Sequence, residues 1–299
     1  MQAIARAGVE FHGSAMRYAE IEQTDGDFRL LRLGDCQFEF DAYEVLFNNG
    51  PDAFLDTISE AVEEVYQGAS ATEFRIAVHP PVVKTFLSSY PNDSDKLIAR
   101  EQLIFESALL DIDRDVSGLR STELAVVDVD TPHKTVHVTH LASGVERRLK
   151  AVFEKAGWPE LEILSSSEAA AAVTRKISQV APDTRAPVLA LGIFKNYSLY
   201  TIVRNGEWIF DQVRPETNPS DVAYFAMHAL SMADVSLADL GMISHYGSED
   251  LYSASGILNS VFDVPVHIMN PMETVGLKGN AFEKEFAQTA FAICIGAAF

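Results

Sequence analysis

The apolar and polar positions along the chain write one three-strand signature twice. The first copy runs over residues 8–21, turns at Asp25-Gly26-Asp27 and resumes over 28–33. The second runs over 187–203, turns at Arg204-Asn205-Gly206-Glu207 and resumes over 208–213. Each reads as strand, tight turn, strand, hairpin turn, strand. Asp-Gly and Asn-Gly between β-rich runs are strong hairpin signals, because such turns require positive φ. Two meanders about half a chain apart predict two like-folded halves facing each other across a cleft.

Helical and further strand patterns fill the rest. Over 51–66, Phe54, Leu55, Ile58, Ala61, Val62 and Val65 share one face at helical spacing, which predicts an amphipathic helix. Residues 74–78 read as a buried strand, interrupted by His79-Pro80-Pro81 because proline removes a ladder donor. A strand over 82–88, a helix over 95–110 and a strand pair over 123–129 and 135–141 follow. The next helix, 145–156, is stopped by Gly157. A strand over 160–164 leads into Ser165 and Glu168, which have capping-box spacing ahead of a helix over 169–180. After the second meander, Asn218-Pro219 opens a helix. Then come a strand over 242–246, a helix over 249–262, a short strand over 264–269 and a closing helix over 281–298.

Antiparallel strands followed by alternating helices and strands imply a mixed sheet with helices on its faces. Pro182 and Pro187, with polar residues between them, mark the boundary between halves. Residues 74–156 have no counterpart in the second half. The expected organisation is therefore a first lobe of 1–73 plus 157–181, an inserted small subdomain at 74–156, and a second lobe at 187–299.

Composition narrows the function classes. With 299 residues, 47% hydrophobic and 22% charged, the chain suits a folded globular protein. Its net charge of −20 repels nucleic-acid phosphates and anionic headgroups, so no nucleic acid is expected as a partner. Cys36 and Cys294 stand far apart without C-x-x-C spacing, against a disulfide framework or zinc site. No apolar run approaches the roughly 20 residues of a bilayer span, and residues 1–6 lack a signal peptide's apolar stretch. A cytoplasmic chain is expected, not inserted in a membrane and peripheral to the inner membrane only through a partner. His133, His137 and His140 look like a metal cluster, but His137 and His140 point to opposite faces of their strand. Asp111, Asp113 and Asp115 alternate like a Ca²⁺ loop, yet Val116 and Thr122 stand where such a loop needs glycine and an acid. No Ser-His-Asp, H-E-x-x-H or P-loop spacing occurs.

Several segments gain meaning from their order. Arg17 and Glu20 close the first strand pair. Arg75 to Val83 reads strand, prolines, strand. Phe153-Glu154-Lys155-Ala156-Gly157-Trp158 leads to Ser167-Glu168-Ala169-Ala170. Residues 242–247 precede a helix and Val264-Pro265-Val266-His267-Ile268-Met269-Asn270-Pro271, and the chain ends near Gly296-Ala297-Ala298. Together these resemble the actin-like pilus assembly family PilM, a relative of the cell-division protein FtsA. The resemblance implies an α/β, actin-like (ribonuclease H-like) duplicated two-lobed fold with a small subdomain inserted in the first lobe. It also implies a cytoplasmic scaffold of a type IV pilus assembly platform. Such a scaffold binds the short cytoplasmic tail of a PilN-like, single-span inner-membrane protein, in a groove between first lobe and insertion. Homo-oligomers are compatible with it.

The same resemblance maps nucleotide-binding turns onto Glu10, Gly13, Ser14 and Arg17, onto Asn196 and Ser198, and onto Gly247. Holding phosphate takes glycine-rich turns with inward N–H groups, and holding Mg²⁺ takes an acidic residue beside them. Here Glu10 replaces the usual aspartate and His12 a glycine. Gly192-Ile193-Phe194 replaces Asp-x-Gly, and His245-Tyr246-Gly247 replaces a glycine run. Lys195 is a further phosphate candidate. The expectation is a scaffold with no catalytic residues, no metal and no cofactor, ATP with Mg²⁺ being disfavoured. The alternatives are a functional ATP-binding actin-like protein and a sugar or acetate kinase-like phosphotransferase.

Overall fold

The computed structural model describes residues 3–24, 27–48, 50–110, 118–124, 132–181, 183–215, 218–247, 251–274 and 288–299. The chain opens with the meander β1 (Ile4–His12), β2 (Ala15–Thr24) and β3 (Asp27–Gln37), then α1 (Ala42–Phe47) and α2 (Asp52–Val65). Next are β4 (Glu73–Val78), β5 (Lys84–Pro91), α3 (Lys96–Leu109), β6 (Leu119–Glu123) and β7 (His133–His140). Then follow α4 (Ser143–Lys155), β8 (Leu161–Ser165) and α5 (Ser166–Val180). The second meander is β9 (Val188–Ile193), β10 (Ser198–Arg204) and β11 (Glu207–Arg214). After it come α6 (Pro219–Met232), β12 (Met242–Gly247), α7 (Leu251–Val261), β13 (Val266–Ile268) and α8 (Pro271–Thr274). A 3₁₀ turn, Gln288–Phe291, leads into α9 (Ala292–Ala298).

These elements form two compact units. One comprises Met1–His79, Gly144–Val180 and Met269–Phe299; the other comprises Pro80–Ser143 and Ala181–Ile268. The first contains a five-stranded sheet of order β3-β2-β1-β4-β8, with β1, β4 and β8 parallel and the meander antiparallel. The second contains a sheet of order β11-β10-β9-β12-β13 with the same pairing directions. It also holds a three-stranded antiparallel sheet, β5-β7-β6. The duplicated strand order is what the two sequence meanders predict. The turn chemistry agrees: Asn205 and Gly206 take φ of +55° and +73° between β10 and β11, as a two-residue hairpin turn requires. Asp25 and Gly26 lie outside the described residues.

Central strands are buried on both faces, as parallel neighbours and covering helices require. Every residue of β9 is buried. Under the first sheet, Phe74 gathers an aromatic cluster, with Tyr66 at 4.9 Å, Phe153 at 5.2 Å and Trp158 at 4.6 Å between ring centroids. The capping box is present in full. Ser165 Oγ accepts from the Glu168 N–H at 3.2 Å, and the Glu168 carboxylate accepts from the Ser165 N–H at 2.7 Å. Gly157 caps α4 at φ +90°.

The structure redraws several boundaries. Phe74–Val78, assigned to the insertion by sequence, pairs in parallel with both β1 and β8 and so completes the first sheet. Residues 80–143 fold with 181–268. The closing helix, assigned to the second lobe, packs in the first unit. Gly8 lacks a Cβ where the Cys294 carbonyl and the Ala298 N–H approach β1, and α9 is buried along its whole length. Residues 281–287 of the expected helix lie outside the described residues, as does most of the expected strand 123–129, whose chain forms β6 slightly earlier. On α2, Ile58, Ser59 and Val62 are buried while Phe54 stays exposed. Ser59 donates to the Val152 carbonyl at 3.1 Å. Helix α1 carries no sequence signal beyond Asp41, whose side chain accepts from the Glu44 N–H at 2.9 Å.

Candidate functional site: two equivalent turns

In the first unit the β1–β2 turn is a polar cluster. Antiparallel register sets Glu10 opposite Arg17 and His12 opposite Ala15, leaving Gly13 and Ser14 as the turn. Gly13 is left-handed at φ +59°. Its carbonyl accepts from the Tyr43 N–H at 3.0 Å, and that of Ser14 from the Phe38 N–H at 2.8 Å. The Glu10 side chain is fully buried. Its Oε1 accepts from the Arg17 guanidinium at 2.8 Å, and its Oε2 lies 3.7 Å from His79 Nε2. The His12 and His79 rings meet edge-on at 5.8 Å. Tyr43 donates its hydroxyl to the His79 carbonyl at 2.9 Å.

The charges are set by these neighbours. Burial pushes the Glu10 carboxyl up, but His79 and then Arg17 outweigh it and hold the group below the usual carboxylate range. Burial, with His79 second, pushes the His12 imidazole down to about 4. At neutral pH the cluster is a carboxylate–guanidinium pair flanked by a neutral His12. His79 could not be assigned to this group from sequence, because it is remote along the chain. Parallel pairing places Ala77 beside Glu10, and two further residues bring His79 beside His12.

In the second unit the equivalent β9–β10 turn is aromatic. Ile193 pairs with Ser198, so the connection has four residues, none of them left-handed. Phe194 donates its N–H to the Tyr197 carbonyl at 3.0 Å. The two rings stack 4.7 Å apart at 20°, and Tyr246 meets Phe194 edge-on at 6.1 Å. All three rings are buried. Gly192 pairs with Tyr246 across β9 and β12, and a Cβ there would come within 2.9 Å of both the Phe194 and Tyr246 rings. This glycine makes room for the aromatic packing. Lys195 and Asn196 are exposed at the turn, whereas Ser198 is buried within β10.

Gly247 closes β12 at φ +131°, a conformation reserved for glycine, with its α-carbon against the Ile193 carbonyl. His245, just before it, is buried, with Nε2 2.7 Å from Ser255 Oγ. Burial, with His267 second, pushes its imidazole down to about 4. His12 therefore has its neighbour His79 within the first unit, and His245 has Ser255 within the second. Sequence spacing also missed the surroundings of His137, which is buried on β7 with Nε2 3.3 Å from Asp211 and its ring 4.6 Å from Trp208. No group of three potential metal ligands occurs among the described residues. Asp111, Asp113 and Asp115 lie outside them. Both cysteines are free, and no helix among the described residues is long and apolar enough to cross a membrane.

Chemically, the first turn offers a buried ion pair, and the second offers rings where a phosphate turn would need bare backbone. No family model matches the sequence, and no curated protein matches it either. Solved structures do match. A chain of the "PilM-PilN type IV pilus biogenesis complex" aligns at a TM-score of 0.71 and 15% identity, covering 98% of this chain and 97% of that one. A Bacteroides thetaiotaomicron protein "with actin-like ATPase fold and unknown function" aligns at a TM-score of 0.54 and 11% identity, covering 91% and 95%. With the duplicated sheets, these likenesses establish that the chain has the actin-like ATPase fold.

Proposed function

We propose that this chain is a non-hydrolysing actin-like scaffold of a type IV pilus assembly platform that binds the cytoplasmic tail of a single-span inner-membrane protein. The observation that carries the reading is the aromatic closure of the second turn. Phosphate binding on this fold depends on close backbone approach, and Phe194, Tyr197 and Tyr246 fill that ground. No carboxylate stands at 192–194 to order Mg²⁺ and its waters. The fold-level likeness to a chain solved in the PilM–PilN complex supports a tail-binding role over catalysis.

Two measurements on the purified chain test this. Thermal unfolding with Mg²⁺ and ATP up to millimolar concentration is expected to be flat; a saturable rise in Tm returns the protein to the ATP-binding class. Calorimetry against the cytoplasmic tail peptide of a single-span membrane protein encoded beside this chain is expected to give saturable binding. Absence of binding by every such tail overturns the scaffold reading.

A further inference from the structure

The first unit carries an aromatic groove that neither its core nor its polar turn uses. The groove lies where the end of β3 and the residues after it run beside α2, and it encloses about 610 Å³. Its volume falls within the roughly 300–1,000 Å³ of small-molecule and cofactor clefts. Three phenylalanines form its apolar surface in a row. Phe38 and Phe40 lie 5.2 Å apart, and Phe40 stacks on Phe54 at 4.4 Å and 26°. Phe54 is 40% exposed, so the row ends on a ring open to solvent.

The polar lining has one sign. Glu39, Glu60 and Glu64 line the groove, all exposed, and no lysine or arginine accompanies them. Carboxylates beside the negative faces of aromatic rings favour a cation, and guanidinium or ammonium groups gain further by lying over such rings. The same field repels anionic lipid, which removes a membrane surface as the occupant. β3 is an edge strand of its sheet, and an edge can accept an added strand through its backbone groups.

We propose that this groove docks an extended, basic segment of a partner protein. Its lysine or arginine heads pair with Glu39, Glu60 and Glu64, and an apolar or arginine side chain covers the phenylalanine row. The proposal stands apart from the tail-binding reading above, because it rests on this surface alone.

The test is selection of random twelve-residue peptides displayed on phage against the purified full chain. The winners are then measured as labelled synthetic peptides by fluorescence anisotropy. The selected peptides are expected to carry Lys or Arg interleaved with apolar residues. Glu60→Lys/Glu64→Lys is expected to weaken them at least about tenfold, as charge reversal at a docking rim does. Phe54→Ser should weaken them severalfold, and raising salt from about 50 to about 300 mM should do so as well. All three positions are exposed, so the variants should keep the wild-type melting temperature, and Phe38→Ser serves as a second aromatic probe. Failure to enrich any basic peptide, or enrichment of peptides indifferent to every groove variant, overturns the proposal. A concentration-dependent dimer in sedimentation that Glu60→Lys/Glu64→Lys abolishes, with no peptide binding, overturns it in favour of a second copy of this chain.

Discussion

The β1–β2 and β9–β10 turns occupy the same place in two sheets of the same strand order, yet they have opposite interiors. One buries a carboxylate against a guanidinium and a histidine. The other buries three aromatic rings. The lengths differ too: Gly13 and Ser14 alone join β1 to β2, while residues 194–197 join β9 to β10. A two-residue turn needs a left-handed glycine, whereas a four-residue turn lets a phenylalanine fold back onto its own strand. Strand order follows from which residues are apolar. What a turn can bind follows from a handful of individual side chains, so a repeated fold does not carry a repeated site.

The largest expected effect is at the polar turn. Glu10→Ala leaves the Arg17 guanidinium, itself mostly buried, without its carboxylate. Such removals cost about 3–5 kcal/mol, readable by urea unfolding, and Glu10→Ala/Arg17→Met should recover a good part of the loss. A cost below about 1 kcal/mol would mean the pair is solvated and would erase the contrast between the turns.

Phe194→Ala comes next. It empties a buried ring position and strips Tyr197 and Tyr246 of their partner, at an expected cost of about 3–4 kcal/mol. The companion measurement is ATP-dependent thermal shift of the same variant. A shift that appears only after the ring is removed would show that the aromatic closure is what excludes nucleotide.

The two histidines allow a gentler comparison. His245 and His12 titrate near 6.5 when unfolded and about 4 when folded. The folded state therefore binds fewer protons between those values. Stability is full above about pH 6.5 and falls as pH drops toward 4, by an order of 2–3 kcal/mol for the fully buried His245. His245→Asn should flatten that part of the pH–stability curve more than His12→Asn, because His12 keeps some solvent contact. Equal effects would mean that the two sites are equally shielded. Glu10, held below the usual range, contributes in the same direction only at lower pH. Its stabilisation is present above its unfolded value and is lost as pH falls through its folded one.

The smallest effect is Gly13→Ala. Space for a methyl group exists, so the cost is the left-handed backbone alone, about 1–2 kcal/mol. A neutral result would show that the first turn can relax toward the length and shape of the second.

Much of the fold is legible in the sequence because its signals are local. Asn205-Gly206 turns where it should, Ser165 and Glu168 bond to each other as their spacing implies, and Asn218 caps α6 with Pro219 at its first turn. The doubled meander appears at both places. The misplaced boundaries have a shared cause. Phe74–Val78 has the pattern of any buried strand, and only pairing with β1 and β8 tells which sheet it completes. α9 is apolar on every side, so no face pointed to its neighbour. Of the candidate site, Glu10 and Arg17 could be paired through hairpin register, and Phe194 and Tyr246 stood out as bulky replacements. His79 joined them only through a parallel pairing between strands remote in sequence.

By itself the sequence determined two equivalent meanders, their hairpins and helix caps. Those depend on side-chain size, charge and backbone preference within a few positions. Tertiary structure decided that Glu10 is a buried, paired carboxylate, that Gly192 makes room for rings, and that Phe38, Phe40 and Phe54 form one acidic-rimmed groove. Those depend on register, on crossing strands, and on which faces of distant segments meet, and no local pattern encodes them.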